Sequence, residues 1–144
     1  MARDWIHEQP PRWDEAKSSI LGAVPAGAFP MEKRTTGELL PGEWWRVEDE
    51  GAVVGYGWMD EVWGEAQILL AVDPRTQRRG IGTFILDRLE SEALRRGFRY
   101  LYNVIPPTHP EPAAVSRWLG KRGFRASEDG RELRRMVRNR PAAS

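Results

Sequence analysis

Val72-Asp73-Pro74-Arg75-Thr76-Gln77-Arg78-Arg79-Gly80-Ile81-Gly82-Thr83 is the stretch that decides how this 144-residue chain folds. Gln67 to Val72 (QILLAV), which leads into it, is a nearly continuous apolar run, the pattern of a strand covered on both faces. Asp73-Pro74 ends that strand. Ile81, Ile85, Leu89 and Ala93 then recur at i, i+4 with Phe84 beside them, which predicts a helix from about Gly80 to Arg96. The first N–H groups of such a helix lack partners, and with the helix dipole they form an anion site. Gly80 and Gly82 let the backbone approach a ligand, and Arg78 and Arg79 add charge suited to phosphate. Neither the GxxxxGK[ST] spacing of a Walker loop nor the GxGxxG dinucleotide fingerprint is present. The alternative reading is a glycine-containing turn with solvated arginines.

The pattern extends outward in both directions. Upstream, residues 1–12 are a polar extended arm or a short edge strand, and Trp13 to about Leu21 has helical spacing. Gly22 to Pro30 is a loop, Met31 to Leu40 is ambiguous, and Pro41-Gly42 marks a turn. Glu43–Val47 and Ala52–Met59 form a hairpin about Glu48–Gly51, and Asp60–Gly64 is a second turn. Downstream, Gly97 caps the long helix and Phe98–Ile105 is a strand. A Pro-rich loop carries His109, and Pro112 opens a helix closed by Gly123. Phe124 starts a last strand, which returns through Asp129-Gly130 as Leu133–Val137. Residues 138–144 form a frayed tail. The whole reads as one domain over 1–144, an α/β (α+β) fold with helices on both faces of a sheet.

Composition excludes several functions. There is no Cys, hence no disulfide, thiolate metal site or Cys nucleophile. His7 and His109 are the two histidines, too few for a multi-His zinc site, so no metal is expected. No apolar run approaches the length of a membrane helix, and the N-terminus lacks the apolar core of a signal peptide, so the expected location is the cytoplasm. Charge is divided along the chain. Residues 1–73 carry six Lys/Arg against 14 Asp/Glu, and residues 74–144 carry 16 against seven. Six of the seven Trp lie in the acidic half. Either the halves face partners of opposite charge, a polyanion and a cation, or ion pairs across the fold interleave them.

Gln77-x-x-Gly80-x-Gly82 after Ala-Val-Asp-Pro resembles the acyl-CoA motif of the GNAT superfamily of N-acetyltransferases. Arg96-Gly97-Phe98 and Trp118-Leu119-Gly120-Lys121-Arg122-Gly123-Phe124 resemble that family's later landmarks, and the element order matches from about residue 40 to 137. The resemblance implies a mixed, mostly antiparallel sheet in which the QILLAV strand splays from a parallel neighbour, the Phe98–Ile105 strand. Acetyl-CoA would lie in the gap as co-substrate. Leu70, Ala71 and Val72 would pair with its pantetheine arm, the amides of Gln77, Arg78, Arg79, Gly80, Ile81, Gly82 and Thr83 would hold its diphosphate, and Asn103 would contact it or simply end its strand. The implied chemistry is direct attack of a neutral amine on the thioester, which needs a base, donors for the oxyanion and an acid for the thiolate.

Two departures from the family pattern bear on that chemistry. Ala66 stands where many relatives place a catalytic Glu, and Leu119 where many carry a Tyr acid. His109 and Glu65 are the candidate replacements. A His works as acid or base near neutral pH, but this one is otherwise an exposed loop residue. Glu65 faces the wrong side of a regular strand and reaches the site only through a bulge. Asp60 and Glu61 are further candidates acting through water. Tyr100 and Tyr102 are donors or packing residues, and proximity with a water relay is the remaining option.

For the acceptor, Trp58, Asp60, Glu61 and Trp63 are candidates for holding a cationic amine, with core packing as the alternative for the tryptophans. Of the consecutive Trp44 and Trp45, one is expected to leave the core for an interface or the cleft. The expected activity is acetyl transfer to a small-molecule primary amine, with no nucleic acid or membrane partner and a homodimer as the default assembly. The competing readings are a non-catalytic acyl-CoA-binding module, from Ala66 and Leu119, and a nucleic-acid binder, from Arg131–Arg140. No nucleic-acid signature accompanies the latter.

Overall fold

The computed structural model describes residues 3–23, 34–76 and 80–138. Its strands are β1 (Arg3–Glu8), β2 (Glu43–Asp49), β3 (Ala52–Val62), β4 (Glu65–Val72), β5 (Tyr100–Val104), β6 (Arg125–Ala126) and β7 (Glu132–Met136). Its helices are α1 (Glu15–Ala23), α2 (Ile81–Arg95) and α3 (Pro112–Gly120), with one 3-10 turn at Pro74–Thr76. The strands form one sheet in the order β1-β2-β3-β4-β5-β7-β6. All neighbours are antiparallel except β4 and β5, which run parallel. This is the expected mixed sheet, and the N-terminal segment is an edge strand rather than a free arm.

Both faces are covered, which corrects the reading of the Trp pair. Trp44 and Trp45 point to opposite faces, and both are buried, at 0% and 1% exposure. Trp44 joins Trp13, Ile20, Leu40 and Tyr56 in the cluster containing α1. Trp45 joins Val47, Ile81, Ile85 and Leu89 in the cluster containing α2, and Trp5 stacks on it at 5.5 Å. Helix α2 lies close to the sheet because β3 presents glycines beneath it. A Cβ on Gly57 would stand 2.8 Å from the Trp5 ring and 3.1 Å from Ile85. On the other face Lys17 is fully buried: its Nζ donates to Glu8 Oε1 at 2.6 Å and to the Arg12 carbonyl oxygen at 2.8 Å. It also lies over the rings of Trp44 and Tyr56. A buried ammonium needs such partners, because desolvation without them costs several kcal/mol.

Turns account for the element ends that the sequence reading misjudged. Asp60 and Glu61 belong to β3, because the turn is confined to Trp63 and Gly64, with φ of 54° and 78°. Glu50 and Gly51 form the same two-residue turn between β2 and β3, so Glu48 and Asp49 are strand residues. Paired positive φ is what a tight hairpin requires. The two Gly-Phe pairs are helix stops. Phe98 N–H bonds the Ala93 carbonyl and Phe124 N–H the Leu119 carbonyl, with Gly97 and Gly123 at positive φ. This is the Schellman arrangement, with an apolar residue just past the glycine. It commits both Phe backbones to the helices, so β5 begins at Tyr100 and β6 is shorter than expected.

Among the described residues two ion pairs between distant residues join the acidic and basic halves, while most pairs lie within one half. Glu43 pairs with Arg96 at 2.9 Å and Glu65 with Arg134 at 2.7 Å, each joining the acidic and basic halves. Buried Glu90 of α2 meets Arg135 at 2.8 Å and accepts the Arg138 N–H at 2.9 Å. Burial raises the Glu90 pKa, but those two residues more than offset it and hold the carboxyl below its usual range. Among the described residues no helix is long and apolar enough to cross a membrane.

Gly57→Val drives a branched side chain into Trp5 and α2. It is expected to lower unfolding free energy by about 1–3 kcal/mol, read as a lower denaturant midpoint at unchanged slope. Asp60→Ala, an exposed residue near the end of the same strand, should stay within about 0.5 kcal/mol of wild type.

Candidate functional site

Strands β4 and β5 are in register at Ala66↔Leu101 and Gln67↔Tyr102 and then diverge. Asn103 Nδ2 reaches back to donate to the Ile68 carbonyl oxygen at 2.9 Å, closing the apex of the opening. Beyond it lies a cleft of about 650 Å³. Its floor is backbone. Asp73 N–H bonds the Val54 carbonyl on β3. Since peptide groups alternate in an antiparallel pair, Ala71 and Leu69 also bond β3, while those of Leu70 and Val72 point into the gap. The cleft thus offers unpaired donors and acceptors along one wall, suited to an extended ligand that carries amides.

The N-terminus of α2 closes the far end. Gly80 has φ 73° and ψ 17°, a left-handed turn that suits glycine, and α2 has no capping side chain and no acid in its first turn. The first intrahelical bond runs from Phe84 N–H to the Gly80 carbonyl at 3.0 Å, which leaves the N–H groups of Ile81, Gly82 and Thr83 without helical acceptors. The two glycines have different roles. Gly80 has open space where a Cβ would stand, apart from Arg3 Nη1 at 3.9 Å, and its contribution is conformational. Gly82 lets α3 approach, since a Cβ there would lie 3.2 Å from the Trp118 ring. Just before the turn, the Arg75 guanidinium bonds Asp73 at 2.8 Å and holds that carboxyl below its ordinary pKa.

The cleft gathers Leu70, Val72, Gly80, Ile81, Gly82, Thr83, Asn103 and His109 from the expected residues. Gln77, Arg78 and Arg79 lie outside the described residues. Ala71 is not in the lining; its peptide groups face Tyr56. Glu65 is not in it either. The β3–β4 register runs without a bulge from Val62↔Glu65 to Gly55↔Val72, so Glu65 stays on the other face, bound to Arg134. Ala66 and Leu119 are buried core residues.

Two lining residues on the β5–α3 loop have ionisable side chains, Glu111 and His109. The His109 Nδ1 accepts the Glu111 N–H at 2.9 Å. The neutral ring therefore carries its proton on Nε2 and has no free lone pair. In this arrangement Nε2–H is the side of the ring left to face a ligand.

On the opposite face, register sets Trp58 beside Leu69, and Asp60 and Tyr102 on either side of Gln67. Leu69 lines the cleft, so this face meets it near the apex. Burial, then the carboxylates of Glu132 and Glu65, push the Tyr102 phenol above its ordinary pKa. Glu61 points to the other side of β3, and Trp63 stands 97% exposed at the hairpin tip, away from the cleft. Among the described residues no group of three His, Asp or Glu is placed to hold a metal.

Sequence reasoning missed Trp118 and Arg122, one helical turn apart on the α3 side of the cleft. Arg122 Nη2 donates to Thr83 Oγ1 at 3.0 Å and Nη1 to the Trp118 carbonyl oxygen at 2.9 Å. Its guanidinium lies 3.7 Å over the Trp118 ring. The available signal was their i, i+4 spacing next to the Gly-Phe stop, opposite a glycine on α2.

Comparison with solved structures agrees with this fold. N-acetylglutamate synthase from Neisseria gonorrhoeae, complexed with coenzyme A and N-acetyl-glutamate, is 20% identical with a TM-score of 0.69, over 94% of this chain and 36% of that one. The ribosomal-protein-S18-alanine N-acetyltransferase from Escherichia coli is 20% identical with a TM-score of 0.62, over 98% and 97%. A GNAT superfamily phosphinothricin acetyltransferase from Sinorhizobium meliloti, in complex with acetyl-CoA, is 24% identical with a TM-score of 0.51, over 67% and 61%. No curated protein sequence matches the chain. The model of the acetyltransferase (GNAT) family matches residues 3–124. With the splayed parallel pair and the uncapped α2 N-terminus as its structural counterpart, that match makes the chain a member of the GNAT acetyltransferase family.

Proposed function

We propose that the chain is an acetyl-CoA-dependent N-acetyltransferase acting on the primary amine of a small, polar or cationic molecule. The observation that carries this reading is the splay itself. Unpaired peptide groups of Leu70 and Val72 lead to the free N–H groups of α2, a backbone array matched to pantetheine amides ending in a diphosphate. The relatives solved with coenzyme A or acetyl-CoA add support.

The acceptor would meet the thioester on the face bearing Trp58, Asp60 and Tyr102. Glu65 and Glu132 flank that face but share Arg134, so among the described residues Asp60 is the carboxylate there without an ion pair to it. A field of that sign draws in an ammonium and shares its proton through water, leaving the amine free to attack. As nitrogen bonds to the carbonyl carbon, charge builds on oxygen; the C–S bond then breaks, CoA leaves as its thiolate, and the proton lost from the new amide nitrogen passes through water to the sulfur. His109 Nε2–H would donate to that developing charge, and Asn103 would keep the apex open at a fixed width.

The alternative is a module that binds acyl-CoA without turning it over, favoured by the inert Ala66 and Leu119. CoA release from acetyl-CoA across a panel of small amines, with calorimetric titration of acetyl-CoA alongside, separates the two. Release with any amine is expected and names the acceptor class. Binding without release across polyamines, amino acids and aminoglycosides would favour the module, and absence of binding would sink both readings. His109→Ala is expected to lower kcat by about 100-fold, with His109→Gln, which keeps an N–H donor, recovering part of the loss. A His109→Ala variant with the wild-type kcat would remove His109 from the chemistry.

A further inference from the structure

Arg122 sits where an arginine is out of place unless something negative joins it. The first turn of a helix carries partial positive charge, and cations there are unfavourable. Yet Arg122 is tied to Thr83 in the first turn of α2, whose end has neither a capping side chain nor an acid. Among the described residues no carboxylate pairs with it, in contrast to Arg96, Arg134 and Arg135, each of which meets a glutamate. Nor is it a loose solvated side chain. Its plane is fixed by the Trp118 ring at 3.7 Å and by two hydrogen bonds, to Thr83 Oγ1 and to the Trp118 carbonyl. Two of its five N–H donors are used in this way. The rest belong to a residue that lines the cleft beside Gly80, Gly82 and Thr83.

We propose that Arg122 is a specificity residue for the acyl donor. Its guanidinium binds the diphosphate of acetyl-CoA from the α3 side, while the α2 N–H groups bind it from the other, and Trp118 and Thr83 hold it in position. This rests on the acyl-CoA reading of the cleft. It adds a contact outside the glycine-containing loop, from the turn that follows α3.

The test compares three donors: acetyl-CoA, acetyl-dephospho-CoA, which lacks the 3′-phosphate, and S-acetylpantetheine, which lacks the diphosphate. Dissociation constants come from calorimetry on wild type, Arg122→Gln and Arg122→Lys. Arg122→Gln should weaken acetyl-CoA and acetyl-dephospho-CoA alike, by about 10- to 100-fold. Its affinity for S-acetylpantetheine should match wild type, and its melting temperature should be close to wild type. Arg122→Lys should recover part of the loss, since a point charge replaces the fork. An equal loss with S-acetylpantetheine would reduce Arg122 to a brace for Trp118 and overturn the proposal. A loss confined to acetyl-CoA would move the contact to the 3′-phosphate and overturn the diphosphate assignment. Wild type that binds acetyl-CoA alongside an unaffected Arg122→Gln would sink this inference alone. Wild type that binds none of the three would sink the acyl-CoA reading itself.

Discussion

The parting of β4 from β5 is the constraint on which the rest of the molecule depends. Two strands that stayed paired would use up the peptide groups of Leu70 and Val72 and leave no cleft. The divergence follows from what surrounds it. Antiparallel pairing with β3 holds β4 along its whole length, while β5 is held from its other side by β7 over five residues. Neither strand needs the other for its ladder, so the sheet survives a gap at its centre. Helix α2 packs under both edges through Ile85, Leu86 and Leu89. The Asn103 side chain then substitutes for the ladder bond that the Ile68 carbonyl would have lost.

Much of this was legible in the residues. An apolar run ending in Asp-Pro, then glycines and i, i+4 apolar spacing, can hardly be anything but a buried strand feeding a helix. The Gly-Phe pairs announce helix stops. Other features are set by tertiary relations that a linear reading does not contain. Trp44 and Trp45 look like one core and one surface residue until a helix is laid on each face. Glu65 is excluded from the cleft by an unbroken register, which depends on the two-residue turn at Trp63-Gly64 rather than on any property of Glu65. Arg122 belongs to no short motif. Its role depends on α3 delivering it to the start of α2, 39 residues earlier in the chain.

The same contrast separates the histidines and the charges. His109 stands in a cleft and looks like a base in the sequence, yet one peptide N–H two residues away takes the lone pair a base would need. His7 stacks on Trp45 and meets Glu43 at the opposite edge of the sheet, a packing role with no bearing on the cleft. Glu43–Arg96 and Glu65–Arg134 tie the acidic half to the basic half, although most ion pairs form within one half. Among the described residues the guanidinium beside the first turn of α2 has no carboxylate partner and is held by Trp118 and Thr83 instead.

The charge division falls at Asp73, one residue past the end of β4, and that placement has a mechanical meaning. Strands β1 to β4 pair with their sequence neighbours as one meander, and β5 to β7 form a second local unit of the same sheet. What joins them is α2 packed across the boundary, a few ion pairs, Asn103 and two residue pairs of parallel ladder. Sequence-local sheets form early and act as cooperative units, whereas a short non-local ladder is formed late and opened first. The molecule is therefore hinged, in the energetic sense, along its own binding cleft. A ligand lying in that seam bonds to one unit through β4 and to the other through α2 and α3, and so serves as the missing rungs between them. Occupancy should stiffen the whole chain out of proportion to the area it covers, because it reinforces the boundary at which the two halves would otherwise come apart.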